Sequence, residues 1–247
     1  MRVLLEYWIK GKAMIDILIT SASRPDYLKR TVDSILEHVH SKDQFRWLLH
    51  EDVVRKSDSL KNIKWVMNSG LFDEMKVTYP AKRHGNAIKE LLNMAQSEYI
   101  FRSEDDCIIL KNINLDEVLN VFNIDKKVNQ IGFREMNTST LKENEVIKGE
   151  RCLTMQFPEW NLVPSIWRLS FIRPRWIVTN RGEVSHHLFS GLNKKKYSEL
   201  IKNKSWLQEN LGSYWWGDGF ATGYVKHIGV DATLYAQIEK KNEKRGL

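Results

Sequence analysis

Three acids in a row, Glu104-Asp105-Asp106, are the densest concentration of potential chemistry in this sequence. An apolar stretch, Tyr99-Ile100-Phe101, precedes them and another, Ile108-Ile109-Leu110, follows. Adjacent carboxylates repel one another, and a divalent cation is the usual relief. Hard oxygen ligands suit Mg2+ or Mn2+, which keep positions open for phosphate oxygens. Taken alone such a triplet reads as a solvated turn; its place directly behind a buried strand favours the metal. His227, in Lys226-His227-Ile228-Gly229-Val230, reads first as a structural residue, although its imidazole also suits a Mn2+ site completed by a carboxylate. Tyr214-Trp215-Trp216-Gly217-Asp218-Gly219-Phe220 is the densest aromatic patch. Its glycines allow a sharp turn that leaves the Asp218 carboxyl uncluttered, and tryptophan faces can stack on a sugar ring or a base. Asp218 can therefore serve as a general base, or it can sit in the turn of an aromatic core strand. His186-His187 beside Ser185 has no partner acid at a telling spacing, and GxSxG, GxGxxG and P-loop patterns are absent.

Something must hold these residues in place. Ile15 to Ile19 reads as a buried strand, and small residues follow it, Thr20-Ser21-Ala22-Ser23-Arg24-Pro25. From Asp26, placed as an N-cap, Tyr27, Leu28, Thr31, Val32, Ile35, Leu36 and Val39 recur at helical spacing. Phe45 to Leu49 reads as a second strand ending in His50-Glu51-Asp52, and Lys76 to Tyr79 as a third. After Gly85 a helix presents Ala87, Ile88, Leu91, Leu92 and Ala95 on one face and leads to the strand before the acids. This alternation predicts an α/β fold with a mostly parallel, doubly wound sheet, whose ligands bind beyond the carboxyl ends of the strands. Beyond about Asn129 the texture changes: Ile131 to Phe133, Arg151 to Phe157 and Ser165 to Ile172 read as strands or turns rich in aromatic, Arg and Pro residues. Asn193 to Lys204 is Lys-rich and reads as surface.

The 247 residues are 42% hydrophobic and 28% charged, which excludes a disordered or collagen-like chain. No apolar run approaches the roughly 18 to 20 residues of a membrane span. Met1 to Ala13 lacks a secretory pattern, and Met14 is an alternative start. The two cysteines, Cys107 and Cys152, suit a reducing cytosol. With 38 Lys and Arg against 31 Asp and Glu the formal charge is +7, a bias toward acidic partners.

Four separated pieces together resemble the GT-A glycosyltransferases, particularly family 2. Ile17 to Pro25 with Leu28, Thr31 and Ser34-Ile35 resembles the family's opening strand and nucleotide loop. Gly85-Asn86-Ala87-Ile88 through Ser97-Glu98-Tyr99-Ile100 is similar to the approach to its metal motif. Glu104-Asp105-Asp106 resembles the DxD motif, and Trp216-Gly217-Asp218-Gly219 with His227-Ile228-Gly229 falls where the catalytic acid and late histidine belong. The pieces span about residues 15 to 230. Three departures stand out: His50-Glu51-Asp52 replaces the Asp-Asp pair that grips the base, Gly217-Asp218 replaces Glu-Asp, and the third-strand loop is kept only through Arg83, Gly85 and Asn86.

The resemblance implies a single Rossmann-like GT-A domain over 1–247, its sheet flanked by helices. Residues 1–128 would form the nucleotide-sugar half and 129–247 a mixed α/β acceptor half. It implies a metal-dependent, inverting glycosyltransferase in which Asp106 and His227 bind Mn2+ or Mg2+, assisted by Glu104 and Asp105. Thr20, Ala22, Arg24 and Arg83 would line the nucleotide pocket, Asp52 touch the base, and Asp218 deprotonate the acceptor beside Trp215 and Trp216. The donor expected is a UDP-sugar; the acceptor a glycan, a lipid-linked glycan or DNA. Arg168, Arg173, Arg175 and Lys194 to Lys196 are candidate acceptor contacts. The expected location is cytoplasmic, with attachment to the inner face of a membrane as a variant. Two rivals are a nucleotidyltransferase, against which the glycine-free loop Thr20 to Pro25 counts, and a basic, Trp-rich module binding nucleic acid or polysaccharide, whose phosphate contacts the acidic triplet would oppose.

Overall fold

Strand β1, Met14–Ser21, is buried from its second residue onward, as expected of a central strand covered on both faces. The computed structural model describes residues 14–81, 84–133, 152–154, 160, 162–176, 211–217 and 223–229. Helix α1 runs over Pro25–His38 and buries Leu28, Thr31, Val32 and Ile35. It begins two residues earlier than the sequence suggests. Pro25 takes the first turn, where its missing N–H costs nothing; Arg24 is the cap and Asp26 lies inside the first turn. A short β2, Val39–His40, leads to β3, Gln44–Asp52, helix α2, Lys56–Ser69, and β4, Glu74–Thr78. Then come α3, His84–Met94, β5, Tyr99–Glu104, β6, Cys107–Ile109, β7, Ile113–Asn114, and α4, Leu115–Ile124. The remaining described elements are β8, Gln130–Phe133, β9, Cys152–Thr154, β10, Ser165–Arg168, α5, Leu169–Ile172, β11, Ser213–Trp216, and β12, Val225–His227.

The main sheet is ordered β4-β3-β1-β5-β10-β8-β11-β9. From β4 to β5 it is parallel, β10 runs against both its neighbours, and β11 again lies parallel to β8. Two reversals across β10 return β8 and β11 to the direction of β5, so β1, β3, β5 and β11 all end at one edge. The sheet separates two cores. Ile15, Ile17 and Ile19 pack with α1 and α4 on one face, joined by Ile131, Phe133, Ile166 and Trp216; Leu18 packs on the other with α3, Trp160, Trp167 and Trp176. Truncating Leu18 to Ala would cost about 2–5 kcal/mol.

One charged group lies inside this apolar framework. Asp16, fully buried in β1, accepts two bonds from Arg46 on the adjacent strand, at 2.8 and 3.1 Å, and the Gln96 and Ser97 N–H groups complete its shell. Arg168 and Arg173 are used in a related way. Their guanidinium groups donate to the Val128 and Phe122 carbonyls and to the Leu92 and Ala95 carbonyls respectively. Arg175 donates to the Phe171 carbonyl and covers its ring. Arg168 and Arg173 thus tie neighbouring elements together, while Arg175 bonds within its own segment; Lys194 to Lys196, expected beside them on the acceptor side, lie outside the described residues. Among the described residues no helix is long and apolar enough to cross a membrane.

Candidate functional site

Parallel pairing fixes the register at the carboxyl edge. Thr20 of β1 stands beside His50 of β3 and Glu104 of β5, and Ser21 beside Glu51. Thr20, Ser21, Ala22, Arg24, Asp52, His84, Ala87 and Glu104 line a cleft of about 130 Å3 at this edge. It therefore brings together Thr20, Ala22, Arg24, Asp52 and Glu104 of the expected donor site. Arg83 and Asp218 lie outside the described residues.

The loop leaving β1 is held in an uncommon shape. Ser23 adopts φ +57°, a conformation costing of order 1 kcal/mol for a residue with a Cβ. Its surroundings compensate: the Ser23 N–H donates to Glu51 Oε1 at 3.0 Å, and Ser23 Oγ accepts from the Val54 and Arg55 N–H groups at 2.9 Å each. Ser23 and Ser59 hydroxyls are bonded at 2.7 Å, while fully buried Glu51 also accepts from Ser59 Oγ and, through Oε2, from Asn62 Nδ2. The Glu51 that replaces an aspartate in the resembled pattern is thus an internal clamp on the loop.

Asp105 bolts that loop to the acidic turn. Its backbone N–H donates to the Thr20 carbonyl at 2.9 Å, and its carbonyl accepts from Thr31 Oγ1 at 2.8 Å. Its carboxyl accepts from the Ala22 N–H at 3.0 Å and from Arg24 Nε at 3.2 Å, with a further ion pair to the same guanidinium. Burial pushes the Asp105 carboxyl up to about 6, against the opposing pull of Arg24 and the Ala22 N–H. The middle acid of the triplet is therefore turned inward, with no exposed surface.

Asp106 faces a different set of groups. The antiparallel ladder of β12 on β6 sets His227 opposite Cys107, next to Asp106, and His227 Nε2 lies 3.3 Å from Asp106 Oδ1. Two ligands about 2.1 Å from one octahedral ion at adjacent positions stand roughly 3 Å apart, so this pair fits a shared Mg2+ or Mn2+. Asp106, Cys107 and His227 form, among the described residues, a group whose ligand atoms lie within 4.8 Å of one another. A thiol is a poor partner for so hard an ion, leaving the carboxyl and the imidazole. Gly229 packs against the Asp106 carboxyl so closely that no Cβ fits, and the Ile228 N–H donates to the Asp106 carbonyl at 2.7 Å. On the other side, Arg24 pairs with Asp106 Oδ2.

Glu104 lies at the far wall of the cleft. Burial favours its neutral form, but Arg102 and then His84 outweigh this and hold its carboxyl below the usual range. Arg102, wholly buried, donates to Glu104 Oε1 at 2.8 Å and to His84 Nε2 at 2.6 Å. An arginine can only donate, so Nε2 is the acceptor and the imidazole proton is on Nδ1. Burial, with Arg102 adding to it, pushes His84 down to about 4. His84 and Arg102 belong to the site although the sequence drew attention only to their neighbours. The signal for His84 was its position opening α3 between Arg83 and Gly85.

Of the two expected acceptor tryptophans, Trp216 is a core residue, 5% exposed, and Trp215 is half-buried on the opposite face of β11. Gly217, at φ +111°, turns the chain immediately before Asp218.

The opening strand and its loop, the acidic turn after the neighbouring strand and the histidine returning to that turn are arranged as in the GT-A fold. TarS from S. aureus, residues 1–349 solved with UDP-GlcNAc, overlays with a TM-score of 0.55 at 14% identity, over 88% of this chain and 61% of that one. The same fragment with UDP gives 0.55 at 12% identity, over 87% and 60%. The longer TarS chain gives 0.54 at 12% identity, over 87% of this chain and 36% of that one. This chain thus spans less than two thirds of the length of these structures, and the likeness concerns the fold. No family model and no curated protein sequence matches the chain.

Proposed function

We propose that the protein is a glycosyltransferase that takes a nucleotide-sugar into the cleft between β1, β3 and α3 and uses a divalent cation, Mn2+ or Mg2+, held by Asp106 and His227. One observation carries this reading: the Asp106 carboxyl and the His227 imidazole, distant in the chain, stand 3.3 Å apart, with Asp106 paired to Arg24 of the cleft lining. Similar folds solved with UDP and UDP-GlcNAc favour a uridine donor. When bound, such an ion supplies charge neutralisation for a departing diphosphate.

The chain's own groups divide the remaining work. Asp52 and His84 face the cleft from opposite elements, the first offering an acceptor and the second its Nδ1–H donor, a complementary pair for the edge of a uracil. Thr20 and Ala22 bring the loop backbone against the ribose and phosphates. Glu104, held ionised by Arg102, accepts from a ribose or sugar hydroxyl. Asp105 orients Ala22 and Arg24 rather than meeting the donor. Asp218 is assigned as the base that takes the acceptor proton in an inverting displacement. The assignment is supported by β11, which ends at the same sheet edge as β1, β3 and β5, and by the sharp turn at Gly217. Trp215 has the surface to contact an acceptor glycan.

Incubating the protein with a panel of sugar nucleotides and Mn2+ tests the reading, because many transferases pass the sugar slowly to water. Release of UDP from at least one UDP-sugar, lost in Asp106→Asn and His227→Ala, is expected. Turnover unaffected by both substitutions would refute the ion site, and no turnover of any donor would refute glycosyl transfer.

A further inference from the structure

The guanidinium of Arg24 is committed to the acids. Nε and one terminal nitrogen engage Asp105, and the other terminal nitrogen pairs with Oδ2 of Asp106. The opposite oxygen of that same carboxyl, Oδ1, is the one that faces His227. A divalent ion shared by Oδ1 and His227 would lie within about 5 Å of the guanidinium, two like charges competing for one carboxyl group. Burial works against a charged Arg24, yet Asp105 and Asp106 outweigh it and raise its pKa. Arg24 is not locked in: its side chain is 25% exposed, at the rim of the cleft, on the loop that a donor's phosphates would have to meet.

Charge balance at this edge points the same way. Glu104, Asp105 and Asp106 face two guanidinium groups, Arg24 and Arg102. A divalent ion added alone would leave the cluster with excess positive charge. The same ion accompanied by a diphosphate would not, and the phosphate oxygens would offer Arg24 a bidentate partner in exchange for Asp106.

We propose that Arg24 couples donor and cation. Without nucleotide it occupies Asp106 and weakens ion binding; with a nucleoside diphosphate in the cleft it turns to the phosphates and releases Asp106 to the ion. Each ligand then strengthens the other by the same factor, as linkage requires. This rests on the glycosyltransferase reading of the site and adds to it an order of events assigned to one side chain.

Calorimetric titration of the full chain with Mn2+, with and without UDP, distinguishes the two levels. For the wild type, saturating UDP is expected to tighten Mn2+ binding about tenfold or more. Arg24→Met keeps the apolar stem and removes the charge; it should bind Mn2+ alone about tenfold more tightly than the wild type, with the UDP enhancement reduced to about threefold or less. Arg24→Lys, whose single ammonium cannot span both carboxyls, should shift in the same direction by less, and it serves if the methionine variant does not fold. Mn2+ affinity unchanged or weakened in both variants, with the UDP enhancement intact, would overturn the coupling while leaving the ion site standing. Absence of any Mn2+ or UDP binding by the wild type would overturn both.

Discussion

Adding one methyl group at Gly229 strikes the site where it is most tightly packed. The backbone there lies outside the left-handed region, so alanine meets no conformational penalty of its own. Its Cβ would overlap Asp106 Oδ2 and approach Cγ to 2.8 Å and Cβ to 3.0 Å. Asp106 is 2% exposed and anchored through its carbonyl to the Ile228 N–H, so it cannot swing freely into solvent. Either the carboxyl turns, breaking its alignment with His227 and Arg24, or the end of β12 moves away. Overpacking of this kind costs about 1–3 kcal/mol, which for a chain of this size lowers Tm by about 2–12 °C. Misdirecting a ligand that is otherwise intact costs about 10–100-fold in metal affinity. The assay is Tm by calorimetry together with Mn2+ affinity in the presence of UDP. Gly70→Ala is the control: at φ +63° it carries strain, but nothing lies within 4 Å of its Cβ, so it should cost about 1 kcal/mol and leave Mn2+ affinity alone. A Gly229→Ala protein with Tm within about 1 °C of wild type and undiminished Mn2+ affinity would refute the reasoning.

The two adjacent aspartates should separate cleanly. Asp105→Ala leaves Arg24 only Asp106 as a partner and takes the acceptor from the half-buried Ala22 N–H, and should destabilise by about 1–3 kcal/mol in urea unfolding, whereas Asp106→Asn should change stability less and abolish Mn2+ binding. Glu51→Gln places an amide NH2 against either Asn62 Nδ2 or the Ser23 N–H, both donors; about 1–3 kcal/mol of lost stability and weakened UDP binding are expected, the latter by fluorescence titration. For His84 the sign follows from its lowered pKa of about 4. Between pH 6.5 and 4 the unfolded chain takes up a proton that the folded chain refuses, so this contribution is complete above about 6.5 and declines as pH falls toward 4. With the side chain 39% exposed, solvent screening reduces the effect, and Tm against pH should fall less steeply in His84→Gln than in the wild type.

The parallel half of the sheet was legible because its strands and helices carry strong apolar patterns: Ile15 to Ile19, broken only by Asp16, Leu28, Val32 and Ile35, and Ala87, Ile88, Leu91 and Leu92 are buried where periodicity put them, whereas Leu36 of the same expected face of α1 is exposed. Helix α2 was not, for a physical reason. Its inward face is Ser59, Asn62 and Val66, satisfied by Glu51 and Ser21, while Leu60 and Met67 are exposed, so the hydrophobic pattern points the wrong way. Helix α4 carries a plain signal, Leu115, Val118, Val121 and Phe122 behind an Asn114 cap, in a stretch to which no element was assigned from the sequence. At the site, the order of the acids in the chain said nothing of their directions: strand alternation ends at Glu104, and the turn sends Asp105 inward and Asp106 toward β12. The part played by Arg24 and Arg102 depends on which loop lies over which strand, information that resides in the register of β1 against β5.

The most direct test is anomalous diffraction from crystals grown with Mn2+ and UDP. The account predicts a manganese peak bonded to Asp106 Oδ1 and His227 Nε2, with the nucleotide against Thr20, Asp52 and His84. A peak elsewhere, with Asp106 still paired to Arg24 and UDP outside the cleft, would contradict it.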